Sequence, residues 1–144
     1  MKVSIDIEVV QWSSESRPAI RAIRERVFIL EQGVPAELEW DEEDAAATHL
    51  LAHAPGGEPL ATARMLIDGH IGRVAVLPEW RRRGIGSMLV IQCIAIGRER
   101  GLKQIWLDAQ VTAIPLYEKL GFVAEGDEFL DAGIPHRRMR QQLG

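Results

Sequence analysis

The sequence predicts an α/β (α+β) fold: a mixed, mostly antiparallel sheet of about seven strands, helices on both faces, and a central parallel βαβ unit. Three observations carry this. Short apolar or alternating stretches with strand character recur along the chain. Asp68-Gly69 is a strong two-residue hairpin signal between two of them. Ile85 to Ile96 is a long apolar run, helical by length, set between Ile71 to Leu77 and Gln104 to Ala109. Two strands joined by such a helix pair in parallel through a crossover. At 144 residues the chain, 1–144, reads as one domain with room for a real core.

Val3 to Val9 alternates apolar and polar residues, a half-exposed strand. Ser13, Ser14 and Ser16 offer N-caps, and Pro18 suits a first helical turn. Ile20, Ile23, Val27 and Leu30 recur at helical spacing, with Arg17, Arg21, Arg24 and Glu25 off that stripe. This helix is expected to end near Glu31-Gln32, before Gly33 and Pro35. Glu37 to Asp44 is acidic, with Trp40 among the carboxylates. It reads either as a solvated loop or short helix, or as a rim that attracts a cationic substrate. Thr48 to Ala54 and Leu60 to Ile67 are strands separated by the turn Pro55-Gly56-Gly57. With Ile71 to Leu77 they form an antiparallel meander. After the central helix and Gln104 to Ala109, Thr112 to Leu120 is a short helix stopped by Gly121. Phe122 to Glu125 is a short strand, Gly133-Ile134-Pro135 a turn, and His136 to Leu143 a last strand with edge-like charge.

The chemistry concentrates in Val76-Leu77-Pro78-Glu79-Trp80-Arg81-Arg82-Arg83-Gly84-Ile85-Gly86. Pro78 ends a strand because it lacks a ladder donor. The first turn of the following helix has N–H groups without partners inside the helix. Gly84 and Gly86 leave no side chain over them, and the arginines add positive charge, so the junction is an anion seat suited to phosphate or pyrophosphate. It is not a dinucleotide fingerprint, which needs a third glycine, nor a P-loop, which needs Gly-Lys-Ser/Thr.

Composition narrows the partners. A net charge of −4 argues against general nucleic-acid binding. The single cysteine, Cys93, excludes an internal disulfide and suits a reducing cytoplasm; mid-helix among apolar residues, it reads as a buried structural thiol. No run reaches the ~18 apolar residues of a membrane span. The first residues, Met1 to Asp6, carry charge and predict no signal peptide. A cytoplasmic protein with no nucleic-acid and no membrane partner is expected.

The sequence resembles the GCN5-related N-acetyltransferase (GNAT) superfamily. Arg81-Arg82-Arg83-Gly84-Ile85-Gly86 matches the family's Q/R-x-x-G-x-G/A motif, after a strand ending in Val-Leu-Pro and at the opening of a helix. Ala113 and then Leu116-Tyr117-Glu118-Lys119-Leu120-Gly121-Phe122 match its A-x-x-L/F-Y-x-x-x-G-F segment, in the same order. Val27-Phe28 with Glu31-Gln32, Glu39-x-Asp41-x-x-Asp44, and Gly133-Ile134-Pro135-His136 are similar to the ElaA-like branch. Where many relatives carry asparagine three residues before the alanine, this chain has Gln110.

The resemblance implies an N-acetyltransferase with acetyl-CoA, or another acyl-CoA, as donor and a small-molecule or peptide amine as acceptor; a homodimer is left open. It places the pyrophosphate on the amides around Arg82, Arg83, Gly84, Gly86 and Ser87, with Arg81 and Ile85 also among the cofactor-binding residues. The pantetheine would run beside Val74, Ala75 and Val76, with Gln110 and Tyr117 completing the donor site. It makes the backbone N–H of Val76, or as second choice Val74, the donor that polarises the thioester carbonyl. Tyr117, the only tyrosine, becomes the acid that protonates the leaving thiolate. Glu31 is the first candidate for the base, with Glu39, Asp41 and His49 beside it, and a water chain as an alternative. No metal is expected, since His49 and His53 have no third ligand at a useful spacing. His136 has no assigned role. Two other readings stay open: a non-catalytic acyl-CoA-binding sensor, and a phosphate-binding module unrelated to coenzyme A.

Overall fold

The computed structural model describes residues 4–144. One seven-stranded sheet runs in the order β1-β2-β3-β4-β5-β7-β6. Its strands are β1 (Asp6–Val10), β2 (Thr48–His53), β3 (Pro59–Met65), β4 (His70–Val76), β5 (Gln104–Gln110), β6 (Val123–Asp131) and β7 (Ile134–Gln142). Every neighbouring pair is antiparallel except β4 and β5. The predicted first strand begins at Val3, which lies outside the described residues.

Helix α1 (Arg17–Arg24) starts at Ser16 with Pro18 in its first turn, as its sequence predicts. The serine does not cap through its side chain; the Ser16 hydroxyl donates instead to the Gln11 carbonyl. After Arg24 the helix widens into a π-helix (Glu25–Glu31), in which the Gln32 N–H reaches back five residues to the Val27 carbonyl at 3.1 Å. This widening corrects the predicted stripe. Ile20, Ile23 and Val27 are buried, but Leu30 is 71% exposed, because the wider turn rotates it off the core face. Arg24, expected off the stripe, is fully buried.

A short helix α2 (Ala36–Glu39) follows the π-helix, and the core lies mainly between the sheet and α3 (Ile85–Glu99). Ile85, Leu89, Val90, Cys93, Ile94 and Ile96 are buried there. Full burial of one such aliphatic side chain contributes about 1.5–3 kcal/mol, an upper figure for a real unfolded chain. Close approach of α3 to the sheet needs Gly97: a Cβ there would meet Ile105 Cγ2 and Leu143 Cδ1 at 3.1 Å. Cys93 sits inside this layer, and burial pushes its thiol pKa up to about 12, so it is a packing residue. A second core, Ile20, Ile23, Val27, Leu51 and Ala75, forms on the opposite face under α1.

Two strand expectations are corrected. β6 is nine residues long rather than four, forming a long hairpin with β7. β7 is an interior strand between β5 and β6, so its arginines do not guard an edge. Arg138 pairs with Asp108 on β5, and Arg140 with Glu125 on β6. Cross-strand ion pairs explain the charge that resembled an edge signal.

Candidate active site

The parallel pair β4–β5 is joined at only two register positions, His70 with Trp106 and Ile71 with Leu107. Beyond Leu107 the two strands part. The gap opens into a cleft of about 510 Å³ lined by β4, the end of β5, the π-helix, Tyr117 and the β6–β7 turn.

A bulge shapes the β4 wall. On β3, Arg64 pairs with Gly72 and Thr62 with Ala75, so Ala63 faces both Arg73 and Val74. Arg73 adopts a left-handed φ of +51°, rare for a residue with a side chain. The extra residue inverts the pleat of the rest of β4. Leu77 N–H donates to Leu60, so by strand alternation the Val76 amide points the other way, into the gap. Val74, two residues earlier, does the same. β5 has already diverged, so this edge resembles a sheet edge awaiting another strand.

The motif loop comes next along the chain. Pro78–Trp80 is a 3-10 turn, Arg82 has φ +63°, and Gly84 caps α3 with φ +77°. A Cβ on Gly86 would sit 3.8 Å from Val76 Cγ2, between the helix start and the β4 edge. The three arginines have different places. Arg81 forks onto Glu31 at 2.6 and 2.7 Å, and its Nε donates to the Val76 carbonyl at 2.9 Å. Arg83 lies over the Trp80 ring at 4.8 Å. Arg82 is exposed. A second fork, Arg26 to Glu79 at 2.8 and 2.7 Å, also ties the π-helix to this loop.

Of the residues singled out from sequence, Val74, Ala75, Val76, Arg81, Gln110, Tyr117, Glu39 and His136 line the cleft. Arg82, Arg83, Gly84, Gly86 and Ser87 lie beside it on the loop and first turn of α3. Ile85 turns its side chain into the core at 2% exposure, leaving only its backbone for a ligand. Gln110 donates to Gln32 at 3.1 Å, linking the end of β5 to the end of the π-helix. Tyr117, in α4 (Ile114–Lys119), packs edge-on against Phe122 at 6.0 Å. Burial, then nearby Cys93, raises its pKa. Among the described residues its hydroxyl has no hydrogen-bond partner.

The three carboxylate candidates for a base are engaged in ion pairs, and the imidazole candidate lies buried outside the cleft. Glu31 has both oxygens on Arg81, whose hydrogen bond holds its pKa down. His49 is fully buried on β2, outside the cleft, with Nε2 2.9 Å from the Asp44 carbonyl; burial lowers its pKa. Glu39 and Asp41 belong to a ring of charges. Arg24 bonds Glu39 at 2.6 Å and Asp44 at 2.7 Å. Arg64 bonds Asp44 at 3.0 Å and Asp41 at 2.7 Å. Arg73 closes the ring, 3.1 Å from Asp41 and 3.2 Å from Glu39. Three arginines alternate with three carboxylates, each held by two of the opposite sign. The acidic stretch is therefore neither simply solvated nor simply a rim for cations: Glu39 and Asp44 are 2% and 3% exposed. Sequence reasoning missed the ring because its cations come from α1, β3 and β4. Arg73, an arginine inside an apolar strand run, was the one local signal.

On the cleft floor His70 stacks flat on Trp106, centroids 3.7 Å apart. Arg138 covers that ring at 4.3 Å, held by Asp108 at 2.9 Å. Burial holds the His70 pKa below its usual value. Among the described residues no three His, Cys, Asp or Glu side chains gather as a metal-holding group, and no helix is long and apolar enough to cross a membrane.

Comparison with known proteins agrees with this architecture. A family model described as an acetyltransferase (GNAT) domain matches residues 13–143. The chain is 36% identical over 121 residues to an uncharacterized N-acetyltransferase, YjcF, of Bacillus subtilis (strain 168), covering 81% of this chain and 86% of that one. Its structure resembles that of Escherichia coli ElaA, with a TM-score of 0.86, 25% identity and coverage of 96% and 100% of the two chains. An acyl-CoA N-acyltransferase from Pseudomonas aeruginosa matches with a TM-score of 0.85, 29% identity and coverage of 96% and 99%.

Proposed function

The chain belongs to the acetyltransferase (GNAT) domain family, an acyltransferase family, and from that premise we propose that it moves an acetyl group from acetyl-CoA directly to a primary amine. The observation that carries the reading is the parting of β4 from β5 beside the motif loop. It leaves an unpaired strand edge pointing at the glycine-opened start of α3. An extended pantetheine can pair with the Val74 and Val76 amides, and its pyrophosphate can rest on the amides from Arg82 to Ser87.

Direct transfer needs few groups. The neutral amine attacks the thioester carbon, a C–N bond forms and the C–S bond breaks. Charge that develops on the carbonyl oxygen is met by a fixed backbone N–H of Val76 or Val74, already aimed into the gap. The departing thiolate takes a proton. Tyr117 lines the same cleft with a free hydroxyl, placed to supply that proton. The ion pairing of Glu31, Glu39 and Asp41, and the burial of His49 outside the cleft, support removal of the amine proton through water rather than by one of these side chains. The ring neutralises Glu39, Asp41 and Asp44, so attraction for a cationic acceptor falls to the exposed Glu37, Glu42 and Glu43 alone.

Release of free thiol from acetyl-CoA across a panel of amines, polyamines and peptide N-termini tests the reading; no release with any acceptor would sink it. Tyr117→Phe is expected to lower turnover at least about tenfold, below the ~10²–10⁴-fold that one acid–base group typically contributes, while acetyl-CoA affinity stays within a few-fold. Unchanged turnover in that variant removes Tyr117 from the mechanism.

A further inference from the structure

The charge ring does more than neutralise itself. One of its members, Arg73, is also the residue whose left-handed backbone makes the β4 bulge. That bulge decides which amides face the cleft. Without the extra residue, strand alternation would turn the Ala75 amide into the gap and those of Val74 and Val76 toward β3. A non-glycine residue in this conformation persists only when its surroundings hold it there. The surroundings are explicit. The Arg73 guanidinium donates to the Leu38 carbonyl at 3.3 Å, the Glu39 carbonyl at 3.1 Å and Asp41 Oδ2 at 3.1 Å, and Nε lies 3.2 Å from Glu39 Oε1. Those anchors sit on the segment Leu38–Asp41. The other two arginines fix that segment in turn: Arg24 holds Glu39, and Arg64 holds Asp41.

We infer that Arg73 is a positioning residue: through the six-membered charge ring it holds the β4 bulge in the register that presents the Val74 and Val76 amides to the thioester. The inference rests on the acetyl-CoA reading above. It assigns the ring a role in turnover, not only in stability, and it couples the segment Leu38–Asp41, whose Leu38 and Glu39 line the cleft, to the backbone of β4. An acceptor that displaces Leu38–Asp41 would thereby also move the amide that polarises the carbonyl.

The test combines kinetics with a direct view of the carbonyl. Full-length wild type and Arg73→Ala, Arg73→Gly, Arg73→Lys and Asp41→Asn are compared by steady-state kinetics. Isotope-edited infrared spectroscopy then follows bound acetyl-CoA carrying ¹³C at the thioester carbonyl. In the wild type the carbonyl stretch should lie below that of free acetyl-CoA, because a backbone N–H polarises it. Arg73→Ala should lower kcat at least tenfold with the acetyl-CoA KM within threefold, and the band should move back toward the free position. Arg73→Gly adopts the backbone angle freely but leaves the ring, so it should lose kcat as well. Arg73→Lys should recover part of it. Asp41→Asn, which keeps the arginine and weakens its anchor, should shift the band in the same direction as Arg73→Ala. If Arg73→Ala fails to fold, the lysine and asparagine variants carry the test. Wild-type kcat and band position in Arg73→Gly, or a change only in the acceptor KM, overturns the inference. Failure of the wild type to bind acetyl-CoA overturns the donor reading itself and the role of Arg73 with it.

Discussion

The turn from β4 into α3 and the loop from Glu39 to Asp44 flank the same cleft and handle charge in opposite ways. The turn is made of backbone. Its polar groups are the amides of Val74, Val76 and the start of α3, exposed because β5 has parted, Arg73 is bulged and Gly84 is left-handed. Such groups remain unpaired until a ligand meets them. The loop is made of side chains, and its Glu39, Asp41 and Asp44 carboxylates are matched within the protein by Arg24, Arg64 and Arg73, while Glu42 and Glu43 face solvent. One region is prepared to receive a ligand; the other is already satisfied and serves as a frame. Breaking the frame should therefore affect stability, and crowding the turn should affect binding.

The largest effect is expected at the centre of the frame. Arg24→Ala leaves Glu39 and Asp44 buried with half of their partners gone. Such a break costs about 3–5 kcal/mol, which urea unfolding would measure. A loss under about 1 kcal/mol would mean that the ring is not under the burial its geometry indicates. Next comes the turn. Gly84→Val forces a β-branched residue into φ +77° at the α3 cap. A left-handed side-chain residue costs about 1–2 kcal/mol, strain that the loop relieves by shifting the first amides of α3; the acetyl-CoA dissociation constant should then rise about tenfold while calorimetry shows a folded protein. Normal binding would place the pyrophosphate elsewhere.

The smallest effect belongs to the frame again, through pH. Among the described residues His49 Nδ1 is buried without a partner, and burial holds the folded pKa below its ordinary 6.5. The unfolded chain thus takes up this proton at higher pH than the folded chain. The stabilising difference is fully present above about pH 6.5 and is lost as pH falls below it, by at most about 1.4 kcal/mol per unit for one group. His70, whose pKa burial also lowers, acts with the same sign. Unfolding measured at pH 7 and pH 5 should show this loss, and His49→Gln should reduce it. An unchanged slope in that variant would mean that His49 titrates alike in both states.

Much of the turn was legible in the sequence because its requirements are local. Pro78 must end a strand, and Gly84 must take an angle that other residues resist. The Asp68-Gly69 hairpin, the α3 run and the Tyr117 segment were readable for the same reason: turn chemistry and period act within a few residues. The frame was not legible. Arg24 stands outside a tidy apolar stripe and is buried all the same, since the chain later delivers Glu39 and Asp44 to it. The arginines of β7 resembled edge protection because nothing local reveals that β6 runs nine residues and takes the edge itself. The π-helix and the bulge at Arg73 are likewise set by what packs against them.

By itself, then, the sequence determined the order of elements, the meander, the glycine-opened helix start and the place of Tyr117, because each depends on the conformational limits of neighbouring residues. Only the tertiary structure decided where β4 leaves β5, which amides face the gap, and that three distant arginines close a ring with an acidic loop. Those features depend on groups far apart in the chain, whose energies exist only once burial has removed water from between them.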